Sequence, residues 1–553
     1  MQVYILIKTN NVTMCDEYEY TDPIIICNER DLPDNGMKEF HFIDSKKVLL
    51  IKQKGKIYAV GAKCPHFGGP LKDGVVGNGR IRCPWHGACF DIKSGDIEDF
   101  PGLDSLPCYK VETKKNGQVG IMIRLKDIDA VKRIKDMVKR DLDDPTTFVV
   151  IGGGPAAQIC VETLRQEGYV GRIILVCKEP YLPYDRVKIS KTFYVTIEAL
   201  QYRQKEFYDE YGIEIYLNTE ATNVKCSEQV VKLSNGKSIK YDKMFIATGC
   251  TPKIPSIIGV NLKNIVTLRT YDDLAIISET MSEETRIICL GTGVITLEIA
   301  QDLIKQVESV TIVTNTELIA SELFGDRIAE RILRLFTDNH VNVITNTNII
   351  EIIGNLNGEI EKVILANSKL LPCDLLIIDA ELEMNTKFLK GSGLKINNNG
   401  SIDTNIYLRT SVESIYVGGD IANAPVYSME NELGTISNYK IAQYHGRIAA
   451  INMIKSRSKM LRAVPFFFTK LFEKNFRFSG YGQYSNIIID GNLEDMKFVA
   501  YFVNENNKVM LVGSCDYDPI VSQFAELQSQ GGTLKLADIK NDEVPWTKMI
   551  KSD

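Results

Sequence analysis

The sequence predicts a multidomain chain: a small all-β module carrying a metal site, then two α/β folds of which one is nested inside the other, then an α+β module. Three observations predict it. Two turns, Cys64-Pro65-His66 and Cys83-Pro84-Trp85-His86, each offer one thiol and one imidazole within a stretch of short alternating strands. Two apolar strands each break into a Gly-x-Gly turn and a helix, over residues 147–157 and 286–298. The length does the rest: 553 residues, 44% hydrophobic and 25% charged, form an ordinary globular composition that must divide into about three or four domains.

Composition narrows the partners. A net charge of −6 and an isoelectric point near 5.7 provide no broad basic field, which excludes nucleic acid as an expected partner. No run of eighteen apolar residues occurs, so no transmembrane segment is expected. The first twenty residues lack both the Arg-rich amphipathic pattern of a mitochondrial presequence and the charged-then-apolar pattern of a signal peptide. Thirteen Cys without paired spacing outside the metal pattern fit a reducing compartment, and the expected location is cytoplasmic.

Residues 22–125 read as the all-β module, with strands at 47–54, 56–60 and 119–123 separated by Gly and Asn-Gly turns. Its metal-ligating candidates are Cys64, His66, Cys83 and His86, which include two of the chain's five His. Two Cys and two His also suit tetrahedral zinc, whose ligands usually come as a Cys pair and a His pair. Here each half is a mixed Cys/His pair with Pro after the Cys. That is the arrangement of a Rieske [2Fe-2S] centre, in which two His replace two Cys on one iron. The module resembles Rieske ferredoxin-type domains. Those of the respiratory cytochrome complexes add a disulfide at the positions of Gly69 and Trp85, and aim hydroxyls at the cluster from the positions of Ala88 and Phe90. The resemblance therefore implies a low-potential centre. Cys89 reads as a small apolar filler.

Residues 126–145 are dense in both charge signs, with Ile128, Val131, Ile134 and Val138 near helical spacing, and are expected to form an amphipathic linker helix. The first α/β fold takes 146–270 and resumes at 405–462. Its turn, Gly152-x-Gly154-x-x-Ala157, lets backbone approach a pyrophosphate at a helix N-terminus, and Glu179 ends the next strand, where it can bond a ribose. Three further segments, 181–191, 246–249 and 416–420, resemble the flavin-binding segments of two-dinucleotide-domain flavoprotein reductases. The resemblance implies FAD held by Arg186 near the pyrophosphate, Lys191 near the isoalloxazine, Thr248 and Gly249 in the returning loop, and Asp420 on the ribityl chain.

The nested fold, 271–404, repeats the pattern with Gly291 and Gly293 and would receive NAD(P)H. By the same resemblance, Glu298 is the acid that pairs with Lys191, and these two form the catalytic pair. Three departures mark this fold. Thr296 stands where the third Gly would be and is expected to push the helix away or force repacking. Thr314 replaces the acid that grips NAD ribose, and no Arg replaces it for NADP. The family usually has glycines near Asp379 and Glu381, two carboxylates that could repel phosphates if they face them. Residues 463–553 read as the C-terminal α+β interface module, with Phe466, Phe467 and Phe468 near the flavin by resemblance or in the core by composition.

The whole order looks like the Rieske-bearing members of the apoptosis-inducing-factor-like oxidoreductases, a resemblance that spans about residues 22 to 530 and implies glutathione-reductase-like dinucleotide domains. Disulfide reductases of this double fold carry Cys-x4-Cys in the first flavin helix. Here only Cys160 and then Cys177 occur, so no dithiol relay is expected. The implied function is hydride transfer from NAD(P)H to FAD, then single-electron steps to the cluster and to an acceptor the sequence does not name. An alternative from another class is a turnover-impaired flavin and iron–sulfur protein with a signalling role. The resemblance also carries a link to mitochondria.

Overall fold

The computed structural model of the protein describes residues 13–15, 18–43, 46–540 and 544–551. Most of the N-terminal stretch read for targeting patterns, residues 1–12 and 16–17, lies outside the described residues. The metal-site module is built from two antiparallel sheets, one of six strands and one of four. Strands Lys47–Gln53 and Lys56–Gly61 pair through the tight Lys54-Gly55 turn, where both residues take positive φ. Their buried faces, with Leu49, Ile51 and Val60, pack beneath the two ligand loops. Those loops leave the four-stranded sheet Ile97–Asp99, Cys89–Asp91, Arg80–Arg82, Val75–Gly77 and its neighbour.

Residues 126–145 do not form the expected helix. After a single 3-10 turn at Leu125–Asp127, the chain runs extended between its neighbours. Ser105 and Arg133 exchange backbone hydrogen bonds at 2.7 and 2.8 Å, and the Val138 and Asp141 amides donate to carbonyls of Arg165 and Val170. Val131 and Ile134, half of the expected apolar stripe, are 79% and 42% exposed. The reason is physical. A twenty-residue helix with few buried contacts is marginal in water, whereas the flanking domains offer Asp96, Glu167 and Glu214 to Arg133, Lys135 and Arg140.

The first α/β fold is a five-stranded parallel sheet. Strand β1 (Thr147–Ile151) leads into helix α1 (Pro155–Gln166) and then β2 (Arg172–Val176), while β3 (Lys243–Ile246) flanks β1 on the other side. These strands are apolar along their whole length because the sheet is buried, sharing one core with helices α1 and α3 and with a three-stranded antiparallel sheet that contributes Val224, Val231 and Ile239. The nested fold interrupts the sheet and is also five parallel strands. It contains β4 (Arg286–Leu290), helix α2 (Val294–Leu303), β5 (Ser309–Val313) and β6 (Leu375–Ile378). The chain then returns as β7 (Ile415–Val417), which pairs with β3. Helix α3 (Tyr439–Ile454) crosses α1 so closely that a Cβ on Gly446 would lie 2.1 Å from the Ala156 carbonyl. The C-terminal module is a five-stranded antiparallel sheet beginning with β8 (Phe466–Leu471) and β9 (Lys474–Gly480), against which helix α4 (Ile520–Ser529) packs.

Three modules meet around one buried set of charges. Arg82 is fully buried and bonds Asp99 at 2.9 Å within its own module and Glu526 on α4 at 3.0 Å. Asp99 also meets Lys440 on α3 at 3.0 Å, and Arg80 adds a second bond to Glu526 at 2.9 Å. Outside this centre, Gln443 bonds backbone at Gly102, Arg203 bonds Asp104, and Ser522 donates to the Cys83 carbonyl.

Glu526→Ala strips two buried arginines of their shared anion and is expected to cost about 3–5 kcal/mol. Removing the exposed Lys205–Asp209 pair should cost under about 0.5 kcal/mol. Urea unfolding of the two variants against the native chain checks the contrast.

Candidate active site: a metal centre facing a nucleotide cradle

The two ligand loops are the same turn made twice. The Cys64 amide donates to the Gly69 carbonyl at 2.9 Å and the Gly68 amide to the Cys64 carbonyl at 2.8 Å. In the second loop the Cys83 amide donates to Ala88 at 2.8 Å and the Gly87 amide to Cys83 at 3.2 Å. Each closure needs a left-handed residue four positions after the Cys, and Gly68 and Gly87 supply it at φ +74° and +73°. Gly69 answers to crowding instead. A Cβ there would lie 2.9 Å from Cys83 Sγ and 3.2 Å from the Trp85 ring, so that ring packs where the respiratory domains are expected to carry a disulfide.

The four donors converge as two pairs. His66 Nδ1 and His86 Nδ1 face each other at 3.1 Å. Burial holds the His66 imidazole down to about 4 and His86 well below its ordinary range, so both are neutral, as ligands must be. Cys64 and Cys83 share a hydrogen bond that drives the first thiol up and holds the second down, so one of the pair gives up its proton readily. Among the described residues, no three His, Cys, Asp or Glu side chains gather round one ion. Sorting into a thiol pair and an imidazole pair suits two metals rather than one, which fits a [2Fe-2S] cluster and not a tetrahedral zinc. Cys89 lies buried nearby, its thiol pushed up to about 12 by burial, as a filler would be.

A cavity of about 850 Å³ lies against this centre. His66 and His86 form part of its wall, and so do Gly152, Gly154, Glu179, Arg186, Lys191, Thr248, Gly249 and Asp420. Ala157 packs beneath it in α1, fully buried. The geometry fits a dinucleotide. Gly152 is required, since a Cβ there would strike the Ala247 carbonyl at 2.2 Å, while Gly154 has no atom within 4 Å of that position, which leaves room for phosphate at the α1 N-terminus. Glu179 accepts from Tyr184 at 2.7 Å and from Arg186. Asp420 follows Gly419, whose amide donates to a buried His445 Nδ1 at 3.2 Å, and its carboxylate takes Arg269 at 2.9 Å and the Cys250 thiol at 3.1 Å. Helix α3 points its N-terminus, capped by Asn438, into the same cavity, a second positive helix end beside α1.

Lys191 and Glu298 meet at 2.5 Å. Ser190 and Thr469 each donate to Glu298 at 2.8 Å, so a carboxylate only 5% exposed has both oxygens hydrogen-bonded. Phe466, Phe467 and Phe468 all line the cavity, and the Phe468 ring lies over His86 with centroids 3.7 Å apart. Arg269, Lys440 and Asn438 also line the cavity. Sequence reasoning missed them because no motif marks them; each sits in ordinary strand-end or helix-start context. Cys160 and Cys177 are buried, free thiols that form no disulfide, and the Cys177 thiol rests on the Gly152 carbonyl.

The nested turn is built differently. Gly291 and Gly293 do not line the cavity, although Val294, Ile295 and Glu298 do. Of the two acids expected to face phosphate, only Asp379 does so, accepting from the Gly293 amide at 2.5 Å. Glu381 turns away, its side chain 86% exposed near Lys253. Thr296 does not displace α2; it is buried, with its hydroxyl on the Asp379 carboxylate. Thr314 bonds Thr316 at 2.8 Å.

Residues 146–446 match the family model of pyridine nucleotide-disulphide oxidoreductases, and residues 22–110 match that of the Rieske [2Fe-2S] domain. The chain is 34% identical to human apoptosis-inducing factor 3 over 93% of its own length and 85% of the relative's. It is 30% identical to the ferredoxin–NAD(+) reductase subunit of the benzene 1,2-dioxygenase system of Pseudomonas putida, over 50% of this chain and 68% of that one. The solved ferredoxin reductase for the CYP199A2 system from Rhodopseudomonas palustris shares the fold at a TM-score of 0.68 and 21% identity, covering 73% of this chain and 99% of that one. Among the described residues, no helix is long and apolar enough to cross a membrane.

His86→Ala removes half of the imidazole pair. It is expected to drop iron and acid-labile sulfide from about two each per chain toward zero while flavin content holds, as metal analysis and the visible spectrum would report.

Proposed function

For a chain that belongs to the pyridine nucleotide-disulphide oxidoreductases, in the apoptosis-inducing-factor-like group with a Rieske domain, we propose that electrons from NAD(P)H reach the cluster within one polypeptide. The chain is an FAD-dependent NAD(P)H oxidoreductase that passes electrons between flavin and a Rieske [2Fe-2S] centre. One observation carries the intramolecular route: His66 and His86 form part of the wall of the flavin cavity, and Phe468, on the same wall, touches His86 at ring-contact distance. The relative from Pseudomonas putida is named for a ferredoxin as its partner. Here the iron–sulfur module is part of the same chain, and buried charges bind it to the body.

Each residue then has a task. Cys64, His66, Cys83 and His86 hold the cluster. Gly152 and Gly154 seat the flavin pyrophosphate at the α1 N-terminus with Arg186 beside it, Ala157 lets that helix lie close to the sheet, and Glu179 takes the ribose. Thr248 and Gly249 shape the opposite wall, and Asp420 takes the ribityl hydroxyls, which would replace the Cys250 thiol as its donor. FAD, when bound, accepts the electron pair of NAD(P)H and gives electrons up singly. Lys191, held against Glu298, presents a cation to the reacting end of the cavity. Gly291 and Gly293 form the turn on which the nucleotide's phosphates would rest. A [2Fe-2S] centre held by Cys64, His66, Cys83 and His86 would supply one-electron chemistry, so the two electrons of NAD(P)H would leave the chain in single-electron steps to an acceptor.

Stopped-flow mixing with NADH and NADPH, following flavin and cluster absorbance separately, tests the route. Cluster bleaching should follow flavin bleaching at a rate independent of protein concentration. Phe468→Ala should slow the second phase at least tenfold and leave the first alone. A second-phase rate proportional to protein concentration would mean transfer between chains and would end the intramolecular reading.

A further inference from the structure

The two nested folds give each other's reference. In the first, β1 and β3 pair in the register Ile151 to Ile246, and the next residue on β3 is Ala247, whose amide donates to Ile151 at 2.8 Å. In the second, β4 and β6 pair in the register Leu290 to Ile378, and the next residue is Asp379, whose amide donates to Leu290 at 2.8 Å. Gly152 donates to the Val176 carbonyl at the end of β2 and Gly291 to the Val313 carbonyl at the end of β5, each at 2.9 Å. The two turns thus share strand register and backbone hydrogen bonds, and Ala247 and Asp379 hold corresponding positions in them.

The difference lies in what stands on the second glycine. Gly154 has nothing within 4 Å of where a Cβ would be. At Gly293 the same point lies 2.2 Å from Asp379 Oδ2, and that oxygen takes the Gly293 amide proton at 2.5 Å. A Gly-x-Gly turn at a helix N-terminus is a seat for an anion because its amides point outward unpaired. Here one of those amides is already paired with an anion from the chain itself. Thr296, at the place of Ala157 in the first fold, adds its hydroxyl to the same carboxylate and steadies it.

We infer that Asp379 is a built-in competitor for the pyrophosphate seat of the nested fold, so that a pyridine nucleotide binds only by displacing this carboxylate. The inference rests on the proposal that NAD(P)H docks on this fold. One charge acts against the ligand in two ways: the carboxylate takes a donor that the phosphates need, and after displacement it stays nearby as a like charge. With Thr314 offering no acid to the ribose, little on the adenosine side compensates. The consequence is weak nucleotide binding imposed by a single side chain, with the Lys191–Glu298 end untouched.

Calorimetric titration of the oxidised, cofactor-loaded full chain with NAD+ and with NADP+ reads this directly, since neither reduces the flavin. Asp379→Ala should tighten binding of at least one of them fivefold or more. Asp379→Asn, which keeps the volume and removes the charge, should tighten it by a smaller factor, and it makes the same comparison if the Ala variant fails to fold. A gain below fivefold from Asp379→Ala, or a loss, overturns the inference; should only the Asn variant fold, any failure to tighten overturns it. The intramolecular route fails separately: after photoreduction of the flavin without nucleotide, a cluster that stays oxidised in native and variant proteins alike would sink that reading and leave the affinity ratio standing.

Discussion

Arg82 is the residue around which the arrangement of modules turns. It stands one position before a cluster ligand, is fully buried, and can be tolerated there only because Asp99 and Glu526 neutralise it. Those partners belong to different modules, and Asp99 is shared with Lys440 of the flavin fold. A guanidinium with several donors in a fixed plane suits this task, because it satisfies carboxylates from two directions at once. Burial pulls the Lys440 ammonium down to about 8, and the anion at 3.0 Å keeps it from falling further. The cost of hiding these charges makes any separation of the modules expensive, since each charge would lose its partner. The ligand loops are therefore held at one distance from the cavity wall.

Much of this was legible in the sequence, and the legible parts share a cause. Cys64, His66, Cys83 and His86 could be read because metal chemistry restricts residue type and spacing, and Gly152 and Gly154 because the turn rejects a side chain. Lys191 and Glu298 were paired by family resemblance alone, and the structure brings them to 2.5 Å across 107 positions. What could not be read depends on neighbours distant in sequence. The expected linker helix failed because its charged groups found partners on two flanking domains, information that a local pattern does not contain. Lys440 and Arg269 carry no motif, and their importance comes only from Asp99 and Asp420 standing opposite.

The nested fold shows how a departure from a motif is absorbed. Thr296 and Asp379, taken singly, read as two defects in a nucleotide site. Together they form one hydrogen-bonded unit that completes the turn from within. A buried hydroxyl needs an acceptor and an amide at a helix start needs an anion, and one carboxylate serves both. This coupling explains why α2 keeps its packing despite a side chain at the third glycine position.

The contact between His86 and Phe468 has a kinetic corollary. A reductase and a separate iron–sulfur carrier must collide and orient before each transfer, so their throughput answers to ionic strength, solvent viscosity and carrier supply. On the proposed route within one chain, with the His86 imidazole already against the Phe468 ring, that search would be completed once, when the chain folds. The inner step of that route would then be insulated from the surrounding medium, and sensitivity to crowding or salt would fall on the outermost exchange with the acceptor.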